Sequence, residues 1–404
     1  MQPFSIHSLD WQQALLDVPA SASPMQRDIV VAGWAQRCWE DLCTALPQQR
    51  HAVIAHPGQV QEHARFYMAT EHASGWLHSP LFNQEDAPRW RHEGIDTLLH
   101  TSWEAAHQGF CGADALVLGV AAVLAELDNR PRGASENTGL QRRHFPLLGT
   151  PRTRNFAAMP VEILQPGHAW GVYPVMNDAD WVLRCMEMGA KLVQLRLKDV
   201  AADMLDADIA RCAAAAQRHG ALLFINDHWQ AALRLAPHMP GIYGVHLGQE
   251  DLLTLREQEF DALLDSGLRL GVSSQTLWEL ARALRLRPSC IACSPVHATA
   301  SKDDVAWPPA GEHNLRFWAQ IAHGTASDTQ QPLPLIAIGG MNVPRARDAA
   351  AAGADAVAMV SAISKADDPP TAVQVLQKAV AEGLEQRAQA PDGQPVHPQA
   401  TKQG

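Results

Sequence analysis

The second half of the chain repeats one pattern, in which a short run of β-forming residues is followed by a stretch with helical periodicity. The β-forming runs are 170–176, 192–197, 222–225, 244–247, 269–272, 289–293, 335–338 and 356–360. The helical stretches are 180–188, 204–218, 229–235, 252–264, 276–284, 315–321, 345–351 and 372–381. Eight strand–helix units in about 215 residues fit the known size of a (β/α)8 barrel. An open doubly wound sheet usually has fewer units and a glycine-rich first turn, and the chain has no GxGxxG. The sequence therefore predicts an α/β fold with a (β/α)8 TIM barrel.

Composition and turn-forming residues divide the rest of the chain. The 404 residues are 47% hydrophobic and 19% charged, a balance that supports a core and excludes disorder of the whole chain. Residues 131–167 are rich in Pro, Arg, Gly and Asn and lack periodicity, which indicates a linker. Residues 386–404 are dominated by Gln, Pro, Ala and Gly, which indicates a flexible tail. We therefore expect a smaller, mostly helical N-terminal region over 1–130 and the barrel domain over 168–385.

The charge distribution excludes some classes of partner. The net charge is −11 and no basic block is present, which argues against nucleic acids and anionic membrane surfaces as partners. The longest apolar run, 115–125, is shorter than the roughly 20 residues that cross a bilayer, and the first residues lack signal-peptide features. Small-molecule partners and a cytoplasmic location are therefore expected, and assembly into a homo-oligomer is left open.

Seven cysteines, an odd number, fit reduced thiols in the cytosol. Cys290 and Cys293 form a CxxC, which in other settings is a redox or zinc motif. Here they lie in a predicted strand, where alternation sends residues i and i+3 to opposite faces. We expect buried structural thiols.

Polar residues alternate with aliphatic ones on the second predicted strand. Gln194, Arg196 and Lys198 share one face, and the residues between them share the other. Because the aliphatic face must pack on helices, the polar face points into the barrel. Two cations there favour the binding of an anion. A structural ion-pair network is the alternative.

Two carboxylates follow neighbouring strands of the predicted barrel. Asp227 comes at the end of the third strand, and Asp251 comes shortly after the fourth. Strand ends carry the chemistry of this fold, and one or two carboxylates together with phosphate oxygens and waters usually hold Mg²⁺. Each aspartate could instead cap the helix that follows it. His246, on the fourth strand, is expected to be a hydrogen-bonding residue of the barrel interior.

The remaining strand ends carry hydroxyl groups, one cation and glycines. Ser273 follows strand five, Lys302 lies in the hydroxyl-rich loop after strand six, and Gly339–Gly340 follows strand seven. Small residues allow backbone N–H groups to approach a phosphate, and the loops after strands seven and eight are the usual phosphate site of this fold. The rim thus offers one site for a diphosphate and another for a monophosphate. This combination points to the joining of two phosphorylated small molecules with release of pyrophosphate.

Seven motifs, in order, resemble those of thiamine-phosphate synthase: QLRLKD, FINDHW, GVHLGQEDL, LRLGVSS, PVHATASKDD, AIGGM and AMVSAI. The resemblance extends across nearly all of 168–385. It implies a transferase of thiamine biosynthesis that condenses hydroxymethylpyrimidine diphosphate with hydroxyethylthiazole phosphate, giving thiamine phosphate and pyrophosphate. Mg²⁺ is the implied cofactor.

The resemblance also implies roles for individual residues. The pyrimidine diphosphate would be bound by Gln194, Leu195, Arg196, Leu197, Lys198, Asn226, Ser273 and Lys302. The catalytic residues would be Arg196, Lys198, Ser273 and Lys302. The thiazole phosphate would be bound by Thr299, Ala300, Ser301, Gly340, Val360 and Ser361, and Mg²⁺ by Asp227 and Asp251. The family loop usually reads Thr-x-Thr-Lys, and the serine at position 301 keeps the hydroxyl group.

The first part of the chain carries a weaker resemblance. Residues 109–118 are similar to a late helical segment of hydroxymethylpyrimidine-phosphate kinase, a fusion partner of this synthase in some bacteria. The stretch at the position of the kinase's anion hole contains Glu93 and Asp96, which would repel ATP phosphates. We interpret 1–130 as a degenerate kinase-like region.

Three functions stay open at this point. The first is an active synthase, and the second is a non-catalytic barrel that binds thiamine precursors or regulates. The third is a bifunctional pyrimidine-phosphate kinase and synthase. Arg196, Asp227, Asp251 and Lys302 together favour catalysis, because a barrel that only binds does not need a metal–diphosphate set.

Overall fold

The structure is a computed structural model, and it describes residues 4–389 except 11–13, 15–17, 19–21, 48–49, 57–64, 72, 79–93, 130–139, 151, 166, 169, 199, 300–307 and 325–332. The strands of the first half are β1 (Phe4–Asp10), β2 (Arg50–His56), β3 (Arg65–Thr70), β4 (Ser74–His78) and β5 (Leu147–Leu148). The strands of the second half are β6 (Val172–Met176), β7 (Leu192–Leu195), β8 (Leu222–Asn226), β9 (Ile242–Leu247), β10 (Arg269–Ser274), β11 (Cys290–Cys293), β12 (Leu335–Ile338) and β13 (Ala356–Met359).

Helices precede, connect and follow these strands. The first half contains α1 (Pro24–Ala45), α2 (Ile95–Gln108) and α3 (Gly112–Asn129). The second half contains α4 (Ala179–Glu187), α5 (Ala202–His219), α6 (Trp229–Leu235), α7 (Gln249–Thr254), α8 (Glu257–Asp265), α9 (Leu277–Arg285), α10 (Gly311–His323), α11 (Val343–Ala351), α12 (Ser361–Ser364) and α13 (Pro369–Gln389). In the part of the chain that the structure describes, no helix combines the length and the apolar character needed to cross a bilayer.

Strands β6 to β13 form a closed parallel barrel, in which each strand pairs with the next and β13 pairs with β6. The predicted α/β barrel is therefore confirmed. Its strands alternate as the sequence predicts, because Leu335 and Ala337 of β12 pack outward against the helices whereas Ile336 faces the interior. The CxxC of β11 follows the same rule: Cys290 lies in the interior cluster and Cys293 in the outer one, and both are free and buried.

The N-terminal region contains more helix than strand, as predicted, but it also contains a five-stranded sheet that the sequence did not indicate. The sheet order is β1-β2-β3-β4-β5, with β1 and β2 parallel and the other pairs antiparallel. Helices α2 and α3 pack on it through apolar residues such as Leu98 and Leu116, which are buried. The short strands lack a clear alternation, which is why the sheet escapes sequence reasoning.

From residue 140 onward the predicted linker is a packed segment and not a free connection, whereas residues 131–139 lie outside the described part of the chain. Its strand β5 pairs with β4 and so belongs to the N-terminal sheet. Further along, Met159 and Ile163 are buried in the interior cluster of the barrel, where they close its N-terminal end. Ion pairs of Arg152 with Glu257 and Asp261 fasten the same segment to α8. Hydrophobic burial at scattered positions, which gives no periodic signal, orders this segment.

The predicted tail begins too early. Helix α13 continues to Gln389, so residues 386–389 are helical. Arg387 explains the extension, because its guanidinium group donates to the carbonyl oxygen of Gly353 at 2.8 Å and pairs with buried Asp355 at 3.0 Å. Residues 390–404 lie outside the described part of the chain.

Candidate active site

The carboxyl ends of the barrel strands bring most of the predicted site residues that the structure describes to one rim. Gln194 is 3% exposed inside the barrel, and its Nε2 donates to the Tyr173 hydroxyl at 2.8 Å. Strand β7 ends at Leu195, so Arg196 and Lys198 lie beyond the strand and not on it as predicted. Arg196 is half-buried and Lys198 is exposed, as suits cations that meet a ligand at the mouth.

Two of the predicted substrate contacts cannot be made by side chains that face the mouth. Leu195 and Leu197 are buried in the outer cluster, against the helices. Their backbone groups alone are left for a ligand, and the carbonyl oxygen of Leu197 already lies 3.1 Å from Nε2 of His228. Asn226, by contrast, is the last residue of β8 and lies at the rim.

The carboxyl groups of Asp227 and Asp251 lie close together, near the guanidinium group of Arg196. Burial raises the pKa of Asp227, and the nearby Asp251 carboxyl group raises it further, whereas Arg196 acts in the opposite direction. Two carboxyl groups in contact repel each other when both are ionised, unless a cation lies between them or beside them. The pair and Arg196 therefore form one electrostatic unit at the rim.

The local backbone explains how the two carboxyl groups meet. Asp227 has φ +60°, a left-handed conformation that is uncommon for residues other than glycine and is often found at functional sites. Its N–H donates to the carbonyl oxygen of His246 at 3.0 Å, which links the turn after β8 to β9. Asp251 lies in the first turn of α7 and accepts from the N–H of Gly248 at 2.9 Å. Neither aspartate is the N-cap of a helix: the N-cap of α7 is Gly248, with Asp251 at the third helical position, and the N-cap of α6 is His228.

The carboxyl pair fits a hard divalent cation. Mg²⁺ usually takes one or two protein carboxylates and completes its octahedron with waters and substrate phosphate oxygens. Within the described ranges, no group of three or more His, Cys, Asp or Glu residues gathers in a metal-binding arrangement. A site of two carboxylates leaves most of the coordination sphere to phosphate oxygens and water, as the sequence analysis expects.

Ser273 is held from two sides. Its Oγ lies 2.8 Å from Nε2 of His246, which confirms the interior hydrogen-bonding role predicted for that histidine. Its carbonyl oxygen accepts from Nε2 of Gln249 at 2.9 Å, and the same amide group contacts Ser274 Oγ at 3.0 Å. Sequence reasoning missed Gln249, although the residue lies inside the GVHLGQEDL motif.

The two glycines after β12 allow close packing of the backbone as well as access of a phosphate to backbone N–H groups. Gly339 and Gly340 have φ +106° and +63°. A Cβ at Gly339 would lie 2.6 Å from Pro295 Cβ, and one at Gly340 would lie 2.4 Å from the carbonyl oxygen of Ala298. The two glycines therefore allow the loop after β11 to lie against the loop after β12. Thr299 directly follows Ala298 in this loop.

The rest of the predicted monophosphate site is described in part. Ser361 is exposed and is the first residue of α12, directly after Val360. Ala300, Ser301 and Lys302 lie outside the described residues, and their roles stay predictions.

Comparison with known proteins decides the family. A family model described as thiamine monophosphate synthase matches residues 172–363, from β6 to α12. The thiamine-phosphate synthase of Neisseria meningitidis serogroup A is 42% identical over 205 residues, which are 51% of this chain and 92% of that protein. This chain belongs to the thiamine-phosphate synthase family. The thiamine-phosphate synthase of Serratia proteamaculans is 40% identical over 201 residues, 50% of this chain and 87% of that protein.

A solved structure is also similar. It is a thiamine phosphate pyrophosphorylase from Pyrococcus furiosus, with 23% identity and a TM-score of 0.44 over 54% of this chain and 98% of that one. The thiamine-phosphate synthases are transferases, and the barrel is the part of this chain that the family model matches. The N-terminal region lies outside that match.

Proposed function

We propose that the barrel condenses hydroxymethylpyrimidine diphosphate with hydroxyethylthiazole phosphate to form thiamine phosphate and pyrophosphate. The proximity of Asp227 and Asp251, beside Arg196, carries the proposal, because two carboxyl groups that could hold a cation and a guanidinium group that could bind phosphate share one mouth. Membership of the thiamine-phosphate synthase family supports it.

The diphosphate end of the first substrate would be bound by Arg196, Lys198, Ser273 and Lys302. The two cations at the end of β7 would neutralise part of the diphosphate charge, and the Ser273 hydroxyl group would donate to a phosphate oxygen. Asp227 and Asp251 would hold Mg²⁺, which when bound supplies a Lewis acid for the leaving diphosphate. Gln194 and Asn226 would face the pyrimidine.

The reaction is a substitution at the pyrimidine methylene carbon. The bond between this carbon and the diphosphate oxygen breaks, and its electron pair leaves with the pyrophosphate. The electron-rich aminopyrimidine ring stabilises the resulting cation, and the thiazole nitrogen then donates its lone pair to form the new C–N bond. No side-chain nucleophile is needed, so the residues contribute positioning and preorganised charge.

The thiazole phosphate would lie across the mouth from the diphosphate. Thr299, Ala300, Ser301, Gly340, Val360 and Ser361 would bind it. Support comes from the close approach of Gly340 to Ala298, the residue before Thr299, between the loops after β12 and β11.

The N-terminal region would be a kinase-like remnant without kinase activity. Its Asp96 lies in the first turn of α2, at the helix end that would otherwise favour an anion. A carboxylate there opposes the binding of ATP phosphates. A chain that works only as a synthase is therefore preferred to the bifunctional alternative.

A cytoplasmic location is part of the proposal. All seven cysteines are free thiols, which suits a reducing compartment.

One assay tests the function. Purified full-length protein is incubated with both substrates and Mg²⁺, and thiamine phosphate and pyrophosphate are measured. Formation of both in equal amounts is expected. Binding of the pyrimidine diphosphate without turnover would favour the non-catalytic barrel, and ATP-dependent phosphorylation of the pyrimidine monophosphate would favour the bifunctional protein.

A further inference from the structure

The N-terminal region holds one barrel helix, α9, at its first turn. Asp114 of α3 is 8% exposed, and its Oδ1 accepts from the backbone N–H of Trp278 at 2.9 Å. The first N–H groups of a helix have no partner within the helix, so an acceptor oxygen from another segment satisfies one of them. A side chain from another part of the chain thus completes α9, in addition to the cap made by Thr276.

The contact between α9 and the N-terminal region continues along the helix. Trp278 is buried beside β4, where a Cβ at Gly75 would lie 3.6 Å from the indole ring. At the other end of α9, Nε of Arg285 donates to the carbonyl oxygen of Thr150 at 2.8 Å. The position of α9 therefore depends on the N-terminal region and the connecting segment.

The same helix controls the surroundings of Ser273. Residues 274–276 alone separate this serine from the first residue of α9. From the middle of α9, Nη1 of Arg282 donates to Oε1 of Gln249 at 2.9 Å. The amide group of Gln249 in turn donates to the carbonyl oxygen of Ser273. A shift of α9 would therefore displace Ser273 in two ways, through the short connection 274–276 and through the hydrogen bonds from Arg282 to Gln249 and from Gln249 to Ser273.

We infer that Asp114 is a positioning residue for the diphosphate end of the active site, acting on Ser273 through α9. The inference rests on the proposed function, which assigns Ser273 to the diphosphate. The N-terminal region would thus contribute to the reaction without touching the substrate, because it fixes the position of the loop between β10 and α9.

A double-mutant cycle on the full-length protein tests the inference. Asp114→Ala removes the hydrogen bond to the N–H of Trp278 at the start of α9. We expect the KM for the pyrimidine diphosphate to rise at least tenfold, with the KM for the thiazole phosphate within twofold of wild type. In a Ser273→Ala background, Asp114→Ala should add less than twofold. Asp114→Asn keeps the acceptor oxygen and should restore the KM to within threefold of wild type.

Asp206→Ala is the matched control. It removes the pair of hydrogen bonds from Arg234, which join α5 to α6 and do not include α9, and it should leave both KM values within twofold of wild type. If Asp114→Ala does not fold, Asp114→Ser replaces it in the same cycle with the same expected direction.

Two outcomes would overturn the inference. One is an unchanged KM for the pyrimidine diphosphate in the folded Asp114 variant. The other is a full, undiminished effect of that variant in the Ser273→Ala background. A wild-type protein that forms no thiamine phosphate would instead overturn the proposed function, so the two failures are distinguishable.

Discussion

Nε2 of His246 lies 2.8 Å from Oγ of Ser273, and this contact joins strands β9 and β10 at the rim of the barrel. Gly271 leaves room for the imidazole ring, since a Cβ at this position would lie 2.5 Å from Nδ1 of His246. The orientation of the serine hydroxyl group therefore depends on a residue without a side chain two positions earlier on the same strand.

Gly271→Ala should disturb the site without touching any substrate contact. The added methyl group would push against the His246 ring, and overpacking of this kind costs about 1–3 kcal/mol of stability. We expect a lower Tm and a roughly tenfold lower kcat/KM for the pyrimidine diphosphate, because the serine loses its partner. Gly33→Ala is the control, because a Cβ at this position of α1 would lie 3.4 Å from Nη1 of Arg37 and has room. This variant should lower neither the Tm nor kcat/KM. Unchanged kinetics in Gly271→Ala would mean that the His246–Ser273 contact has no catalytic role.

Asp251→Asn should reduce kcat by at least about a hundredfold, which is the scale for the loss of a preorganised charge partner. Lys302→Ala, at a position outside the described residues, is expected to have the same effect. Glu250→Gln is the matched control, since this exposed neighbour lies on the same turn of α7. Steady-state kinetics at saturating Mg²⁺ give the comparison, and equal losses in the two α7 variants would contradict the assignment of Asp251.

Asp227→Asn should stabilise the metal-free protein at neutral pH while abolishing activity. Burial and the Asp251 carboxyl group raise the pKa of Asp227 in the folded protein above its value in the unfolded chain. The neutral carboxyl group therefore stabilises the fold at pH values below the unfolded-state pKa. This stabilisation is lost as the pH rises through the folded-state pKa. Asparagine avoids that loss and tolerates the φ of +60°. Thermal unfolding in EDTA at pH 7 should show a higher Tm for the variant than for the wild type. Added Mg²⁺ should raise the Tm of the wild type more than that of the variant. A lower Tm in EDTA would show that the two carboxyl groups do not repel each other.

Asp114→Asn should raise stability at high pH and not at low pH. Burial raises the pKa of Asp114 to about 6, against the opposing bonds from the N–H groups of Trp278 and Leu277, and Glu279 raises it further. The stabilising neutral form is complete below pH 3.8 and is lost as the pH rises through about 6. Ionisation thus costs about 3 kcal/mol at pH 8, as an upper figure. Unfolding curves of both proteins at pH 4.5 and pH 8 check this, and a gain that is equal at both pH values would contradict it.

Four of the seven thiols should be inert in the native protein. Burial raises the pKa values of Cys185, Cys212, Cys290 and Cys293 to about 12, which leaves about a thousandfold less thiolate than the ordinary value allows. The other three cysteines are only half-buried. Titration with Ellman's reagent at pH 8 should therefore modify at most three thiols in the native protein and all seven in guanidinium chloride. A fourth fast-reacting thiol would indicate that one of the buried positions is open.

The barrel could be predicted because its strands and helices are periodic. Strand β12 and helix α6 have the bounds predicted from the sequence, since an aliphatic run and a clear helical stretch define them. The carboxyl groups of Asp227 and Asp251 could be placed at one rim because parallel strands end together.

Other features could not be predicted, because they depend on contacts between distant positions. Asp114 and Trp278 are separated by 164 residues, and nothing in either segment marks the pair. Met159 and Ile163 lie in a segment whose turn-forming composition hides their burial. The role of Gln249 depends on Arg282, which lies on a different helix.

Met159 and Ile163, which close the N-terminal end of the barrel, limit where the chain can be truncated. A cut between the segment that carries these residues and β6 would leave the inner layer open to water. An excised synthase module therefore has to start before Met159, and a transplanted module has to keep the segment from Met159 to Ile163.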